Sequence, residues 1–326
     1  MDCMDEVPRF SEMMEWRTDQ MNPSVFAPCV ATVGFFDGVH KGHQYLMKQV
    51  RNVASRLGLP SMVITFANHP RKVTDAGYCP RLLTTFDEKS RLLAATGVDY
   101  GCVLTFTPAM ASLTAEAFMH EYLQERFHVK ALVMGYDHRF GSDRKGVEAC
   151  RGYGEQYGIQ VYAADEYRNG SQCHVSSSTA RQAVMAGDMK GAYRLLGHPY
   201  GLEAVVVDGQ HLGRTIGFPT ANLELTGTDK LLPCDGVYAV WMWIDGQRYA
   251  GMANLGQRPT VNDSEKKTLE IHLLDFHQNI YGQKVQVEFM EYVRAEQKFE
   301  GLDALTRALE QDREQVRQIL FAEKQV

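Results

Sequence analysis

His40 and His43 flank Gly42 in the run Gly34-Phe35-Phe36-Asp37-Gly38-Val39-His40-Lys41-Gly42-His43. Two imidazoles at this spacing can both point at one phosphate and stabilise the charge that builds up as its bond to pyrophosphate breaks, with no covalent intermediate. The glycines let backbone N–H groups approach a phosphate closely, and the start of a helix adds unpaired donors and a positive dipole end. A capping or core role competes with this use. So does a metal pair, although no third ligand sits at a helpful spacing.

A second constellation lies far along the chain. Gly213-Arg214-Thr215-Ile216-Gly217-Phe218-Pro219-Thr220-Ala221-Asn222 is a glycine-rich loop able to wrap phosphates, followed by a hydroxyl and an amide that suit a hard magnesium ion. The competing use is a hairpin loop that merely needs glycines. Glu270 and His272, two apart in an expected strand, share one face, where a plain solvated strand surface is the alternative. Between the two constellations, Ser176, Ser177 and Ser178 precede Arg181. Hydroxyls at a helix start with one arginine suit β- and γ-phosphates, and they equally suit an ordinary N-cap.

Alternating elements must position these groups. Strands are expected at Cys29 to Gly34, Met62 to Phe66, Tyr100 to Leu104, Ala131 to Met134 and Ile159 to Ala163. Leu46, Val50, Val53 and Leu57 lay one apolar stripe along a helix stopping at Gly58, and helices Phe86 to Thr96 and Thr114 to Phe127 continue the alternation. That is a doubly wound parallel sheet, which binds ligands outside the carboxyl ends of its strands. Beyond Gly187 the pattern turns to β-branched and aromatic alternation. Trp241, Trp243, Tyr249 and Met252 flank Asp245-Gly246, a hairpin turn in which both positions need positive φ. Further strands at Glu203 to Val207, Thr268 to Leu274 and Val285 to Tyr292 imply a small antiparallel barrel. A final helix, Leu302 to Leu320, closes it with Leu302, Leu305, Leu309, Val316 and Leu320 on its buried side.

With 326 residues, two domains are expected: an extension over residues 1–27, an α/β domain over 28–186 and a barrel over 187–326. The extension reads as loose, because Met1 to Ser24 are mixed charged and polar. A net charge of -6 argues against nucleic acid as a partner, and no apolar run reaches membrane-spanning length. Seven scattered cysteines without C-x-x-C spacing fit a reducing cytoplasm and indicate neither zinc nor disulfides.

Several of these runs resemble known signatures. Gly34 to His43 resembles that of the nucleotidyltransferase superfamily, which transfers AMP or CMP to phosphorylated acceptors. Gly135-Tyr136-Asp137-His138-Arg139-Phe140-Gly141 resembles the G-x-D-F-x-F-G loop of bacterial FAD synthetases, with His138 for Phe. Val175 to Arg181 resembles their I-S-S-T-x-I-R segment, with Ser178 for Thr and Ala180 for Ile. Thr65 to Pro70 resembles T-F-x-P-H-P, with Asn68 for Pro. Gly213 to Asn222 resembles the riboflavin kinase signature, supported by Gly197-His198-Pro199-Tyr200, Gly236-Val237-Tyr238, Asn254-Leu255-Gly256 with Pro259-Thr260, Tyr281-Gly282, and Arg294 before Glu296-x-Lys298-Phe299. His198 stands where arginine is usual, and Glu203-Ala204 where glycine is common.

From Cys29 to Phe299 the chain is thus similar to the bifunctional bacterial riboflavin kinase and FMN adenylyltransferase family. The resemblance implies that riboflavin and ATP give FMN in the C-terminal half, and that FMN and ATP give FAD and pyrophosphate in the N-terminal half. Each step would use Mg2+ with ATP. By the same resemblance His40, His43 and Glu270 are catalytic, Glu270 as the base for the ribityl hydroxyl. Gly34, Phe35, Asp37, Gly42, Asp137, Ser176, Ser177, Ser178 and Arg181 would hold nucleotide phosphates in the first half, with Asp37 shaping the turn. Gly213, Arg214, Gly217, Pro219 and Asn254 would do so in the second. Thr220 and Asn222 would hold the metal, and Phe66, His69 and Arg294 would touch flavin. The implied partners are riboflavin, FMN and ATP, with neither nucleic acid nor membrane, for a monomer or weak homo-oligomer. Two alternatives compete: a different acceptor, such as phosphopantetheine or nicotinate mononucleotide, and a riboflavin kinase or flavin-binding regulator with a decayed adenylyltransferase site. Gly213 to Asn222 disfavours the first. Intact His40, His43, Thr220 and Glu270 count against the second, with Asn68 and His138 as the positions to test.

Overall fold

A computed structural model describes residues 14–18, 20–75, 77, 81–168, 174–209, 212–225, 229–258 and 266–321. Cys3, Cys79, Cys173, Pro259 and Thr260 lie outside the described residues, while Cys29, Cys102, Cys150 and Cys234 are free thiols. The chain divides into two compact units, one up to Ser176 and one from Ser177.

The first unit is built on a six-stranded sheet: β1 (Glu15–Thr18), β2 (Cys29–Val33), β3 (Ser61–Phe66), β4 (Tyr100–Leu104), β5 (Val129–Met134) and β6 (Gln160–Ala163). Its order is β1-β4-β3-β2-β5-β6, and every pairing is parallel. β2 and β3 are buried along their whole length, as strands covered on both faces must be, which explains their unbroken apolar runs. From β2 the chain winds outward through β3 and β4, then returns to β5 on the other side of β2. The winding therefore reverses between β2 and β5, where a doubly wound sheet opens its ligand crevice.

The helix Lys41–Leu57 ends at Gly58, whose φ of 64° forms a left-handed C-cap. Its buried stripe runs through Met47, Val50, Val53 and Ala54, whereas Leu57, expected on that stripe, is exposed. Seven residues on from Val50 it still lies on the same helical face, but as the last helical residue, beside the Gly58 cap, it stands past the buried stretch. The helix expected over Thr114 to Phe127 is an α-turn, Ala115–Phe118, continued by a π-helix, Met119–Arg126. The N-terminal extension, expected to be loose, contributes the edge strand β1. Trp16 lies flat against Gly101, where an added Cβ would sit 2.6 Å from its ring, and the buried Arg17 guanidinium stacks 4.2 Å from the Tyr100 ring. A four-residue strand is too short to show a period, so its pattern was invisible among its polar neighbours.

The second unit begins with helices Ser177–Met185 and Met189–Leu196 and continues as a closed barrel. Its strands are β7 (Tyr200–Val207), β8 (Ala221–Leu223), β9 (Gly236–Ile244), β10 (Gln247–Arg258), β11 (Lys266–Leu273) and β12 (Lys284–Arg294), in the order β10-β11-β8-β7-β12-β9. Asp245 and Gly246, at φ 48° and 79°, make the expected turn between β9 and β10. Tyr238, Val240, Met242, Leu255, Leu269, Ile271, Val287 and Phe289 are buried at alternate positions of their strands. On the opposite face of these strands, Val316 and Leu320 of the helix Leu302–Phe321 pack with Val237, Ala239, Ala250, Met252 and Phe218. Leu302, expected on the buried side, is 55% exposed, because only the later turns of this helix seat on the barrel.

Candidate active sites

In the first unit, β2 gives way to a strained turn. The Gly34 N–H donates to the Ile64 carbonyl at 3.0 Å, and then Phe36, Gly38 and Val39 take φ of 56°, 77° and 38°. For a β-branched residue such as Val39 a left-handed φ is unfavourable, so the surroundings must enforce it. Asp37 does this: its buried carboxylate accepts from Leu83 N–H and Thr84 N–H, both at 3.1 Å, and from the Thr84 hydroxyl at 3.3 Å. The Gly38 N–H donates to the same hydroxyl at 3.1 Å. Asp37 is therefore the anchor of the turn.

The turn delivers His40 to the N-cap of the helix Lys41–Leu57, where its Nδ1 accepts the His43 N–H at 3.3 Å. Accepting at Nδ1 leaves the ring proton on Nε2. The two imidazoles stack with centroids 3.6 Å apart and planes 18° apart, and Phe36 meets His43 edge-on at 5.2 Å. Burial, followed by the charge of His174, pushes His40 down to about 4. Burial, then His40 and Lys89, holds His43 well below its ordinary value. Both rings are therefore neutral hydrogen-bonding groups at neutral pH. The buried Nδ1 of His43 meets no partner within the protein, as befits an atom reserved for a ligand.

Val175 and His69 of the first unit lie beside this turn. A Cβ at Gly42 would lie 3.1 Å from the His40 ring and 3.8 Å from the Val175 carbonyl, so the residues leading into Ser176 run beside the histidines. Ser177, Ser178 and Arg181 lie on the helix that opens the second unit. The Gly135–Gly141 loop leaves β5, the strand adjacent to β2, with Asp137 exposed and His138 packed on Phe140 at 4.7 Å. At the end of β3, Phe66 is buried edge-on to Phe106 at 5.3 Å. His69 meets the Phe35 ring edge-on at 4.5 Å and accepts the Arg71 N–H at 3.1 Å, capping the helix Pro70–Thr74.

The second unit assembles a different set. A Cβ on Gly213 would fall 2.1 Å from the Phe218 carbonyl, and Gly217 has a φ of 81°, so glycine is required at both positions. Arg214 ties this loop to the Tyr281 hydroxyl at 2.9 Å. His272 Nδ1 donates to the Pro219 carbonyl at 2.9 Å, and burial lowers the pKa of His272, keeping it neutral. The Thr220 hydroxyl donates to Glu270 Oε2 at 3.4 Å. In the sheet register, Glu270 of β11 stands between Asn222 of β8 and Asn254 of β10, so a carboxylate and two amides line one row on one face. No group of three or more His, Cys, Asp or Glu able to hold a metal occurs among the described residues. Thr220, Asn222 and Glu270 are all oxygen donors, the set that suits a hard cation which keeps most of its waters and arrives with phosphate.

Residues 22–179 match the FAD synthetase family model, and residues 196–320 match that of riboflavin kinase. A Listeria monocytogenes protein named bifunctional riboflavin kinase/FMN adenylyltransferase is 36% identical over 289 residues, spanning 88% of this chain and 91% of its own length. Proteins of the same name from Escherichia coli strain K12 and Haemophilus influenzae are 38% and 39% identical, over 87% and 88% of this chain and 90% and 93% of theirs. The chain belongs to the bifunctional riboflavin kinase/FMN adenylyltransferase family. A solved Streptococcus pneumoniae structure, described as a macrolide-efflux protein, superposes with a TM-score of 0.85 at 34% identity, covering 93% of this chain and 99% of that one. In this chain no helix among the described residues is long and apolar enough to cross a membrane.

The departures from the family pattern have visible accommodations. Asn68, standing where riboflavin kinase/FMN adenylyltransferases usually have proline, donates to the Phe106 carbonyl and accepts the Phe106 N–H, each at 2.9 Å. A two-point clamp replaces a rigid ring. His138 keeps an aromatic face on Phe140, as the usual phenylalanine could. Arg294 is bound by Asp312 of the last helix through two bonds of 2.8 and 2.6 Å, which makes it a strut between β12 and that helix. Sequence reasoning missed Thr84 and Lys89, and it gave Glu296 only as part of a supporting run, without a role. Glu296 accepts from Asn254 at 3.3 Å, and a Cβ at Gly256 would strike it at 2.0 Å. None of the three lies in a glycine-rich run, and only their long-range partners reveal them.

Proposed function

We propose that this chain makes FMN from riboflavin and ATP in its C-terminal half and converts FMN with a second ATP into FAD and pyrophosphate in its N-terminal half. The observation that carries this is the presence, in one chain, of two complete constellations: the neutral histidine stack at the crevice of a doubly wound sheet, and the Thr220–Glu270 pair beside a glycine loop.

In adenylyl transfer, an oxygen of the FMN phosphate attacks the α-phosphorus of ATP. The bond to the β-phosphate oxygen breaks, and its electrons leave with pyrophosphate. His40 and His43 donate to the oxygens that gain charge, while Gly34, Phe35, Gly42 and Asp137 border the nucleotide and Asp37 shapes the turn. We assign Ser176, Ser177, Ser178 and Arg181 to the β- and γ-phosphates, which places the functional boundary near residues 186 and 187. In phosphoryl transfer, Glu270 takes the ribityl proton as that oxygen attacks the γ-phosphorus and ADP leaves. Thr220 and Asn222 would hold Mg2+, which supplies charge neutralisation to the ATP phosphates, and Gly213, Arg214, Gly217, Pro219 and Asn254 surround them. Phe66 and His69 border the FMN ring in the first half. Arg294 supports the flavin side of the second through its strut. The enzyme acts in the cytoplasm as a monomer or weak homo-oligomer.

Incubation with riboflavin, ATP and magnesium, followed by chromatography of the flavins, tests the proposal. FMN should form first and FAD after it. Unchanged riboflavin, with no FAD from supplied FMN, would overturn it.

A further inference from the structure

Lys89 is only 3% exposed, a rare state for an ammonium unless the fold holds it there. Its Nζ donates to the Phe35 carbonyl at 3.1 Å and to the Phe66 carbonyl at 2.9 Å, and lies 4.2 Å from the centroid of the Phe35 ring. Phe66 ends β3, and Phe35 follows β2 by two residues. Thr65 adds a third donor, its hydroxyl reaching the Phe35 carbonyl at 3.2 Å. Past Phe35 the chain enters the strained turn carrying His40 and His43. Past Phe66 it enters the Asn68-His69 loop, itself pinned to Phe106.

We propose that Lys89 is a positioning residue for adenylyl transfer, its ammonium clamping the exits of β2 and β3 so that the histidine turn and the Asn68-His69 loop keep one geometry. The proposal rests on the assignment of that turn to FAD formation. The charged or titratable groups facing Lys89 are Asp37 of the turn and His43 of the first helix, with His40 stacked behind His43 and His69 against Phe35. Leu83 and Thr84 offer Asp37 only backbone and hydroxyl groups. Burial pushes Lys89 down to about 8, opposed by Asp37. Above that pH the clamp loses its charge, and neutral hydrogen bonds are weaker than charge-assisted ones.

The test uses the full chain, with FMN formation from riboflavin as the internal control and His43→Ala as the reference. Lys89→Met keeps the apolar stem and removes the donors. It should lower kcat for FAD formation about a hundredfold, the scale of an ångström-sized misplacement, with a much smaller change in KM for ATP. FMN formation should stay within about twofold of wild type. In the wild type, kcat for FAD formation should fall as pH rises through about 8, and Lys89→Arg should shift that fall upward. FAD formation by Lys89→Met within about twofold of wild type, when His43→Ala has lost it, overturns the role of Lys89 alone. Wild-type FAD formation by His43→Ala overturns the site assignment as well. Should Lys89→Met fail to fold, a wild-type profile for FAD formation that stays flat across pH 8 overturns the proposal.

Discussion

A neutral imidazole offers a hydrogen bond to a developing oxyanion without a charge that must first be desolvated, and the stacked pair His40 and His43 is held in that state by burial. The same burial ties stability to pH. His40 has a folded pKa of about 4 against 6.5 unfolded, so its contribution is complete above pH 6.5 and is lost as pH falls through 4. From about pH 7 to about pH 5 this amounts to about 2 kcal/mol. Urea unfolding at both pH values should show the first unit losing more stability in the wild type than in His40→Asn. Equal losses would mean that His40 protonates as readily folded as unfolded. In the other unit, Glu270→Gln keeps the size of the side chain but removes the proton acceptor. FMN formation should drop by about 10²-fold or more, with FAD formation from supplied FMN unaffected. A base elsewhere would leave FMN formation intact.

At the scale of elements, the chemistry depends on two turns held from outside. Asp37→Ala removes three bonds to the Leu83-Thr84 segment and should destabilise the first unit by about 2 kcal/mol or more. The measure is its midpoint in urea, and an unchanged midpoint would mean that the strained turn holds itself. Gly213→Ala forces a Cβ to within 2.1 Å of the Phe218 carbonyl, so the loop must open. FMN formation should fall while FAD formation from FMN persists; unimpaired FMN formation would show that the loop geometry is not used. Sequence pattern exposed those elements whose period is long enough to count. The hairpin at Asp245-Gly246 and the strand Tyr100–Leu104 were legible because turn chemistry and apolar runs are local. β1, the outward Leu302 and the π-helix were not, since they depend on what lies across the fold. Lys89 and Thr84 escaped for the same reason: a lysine on a helix reads as solvated until its acceptors at Phe35 and Phe66 are seen.

For the whole molecule, the two signature runs belong to different units. Family membership was legible because both runs are contiguous in sequence. The anchoring of each run was not, because Asp37, Asn68 and Asn254 find their partners 38 or more residues away. If the sites are independent, loss of one activity must leave the other. His43→Ala given riboflavin, ATP and magnesium is the most direct test, with the flavins separated over time. FMN should accumulate at the wild-type rate with FAD absent. FAD appearing as fast as in the wild type would contradict the histidine assignment, and loss of both products would contradict two separate sites.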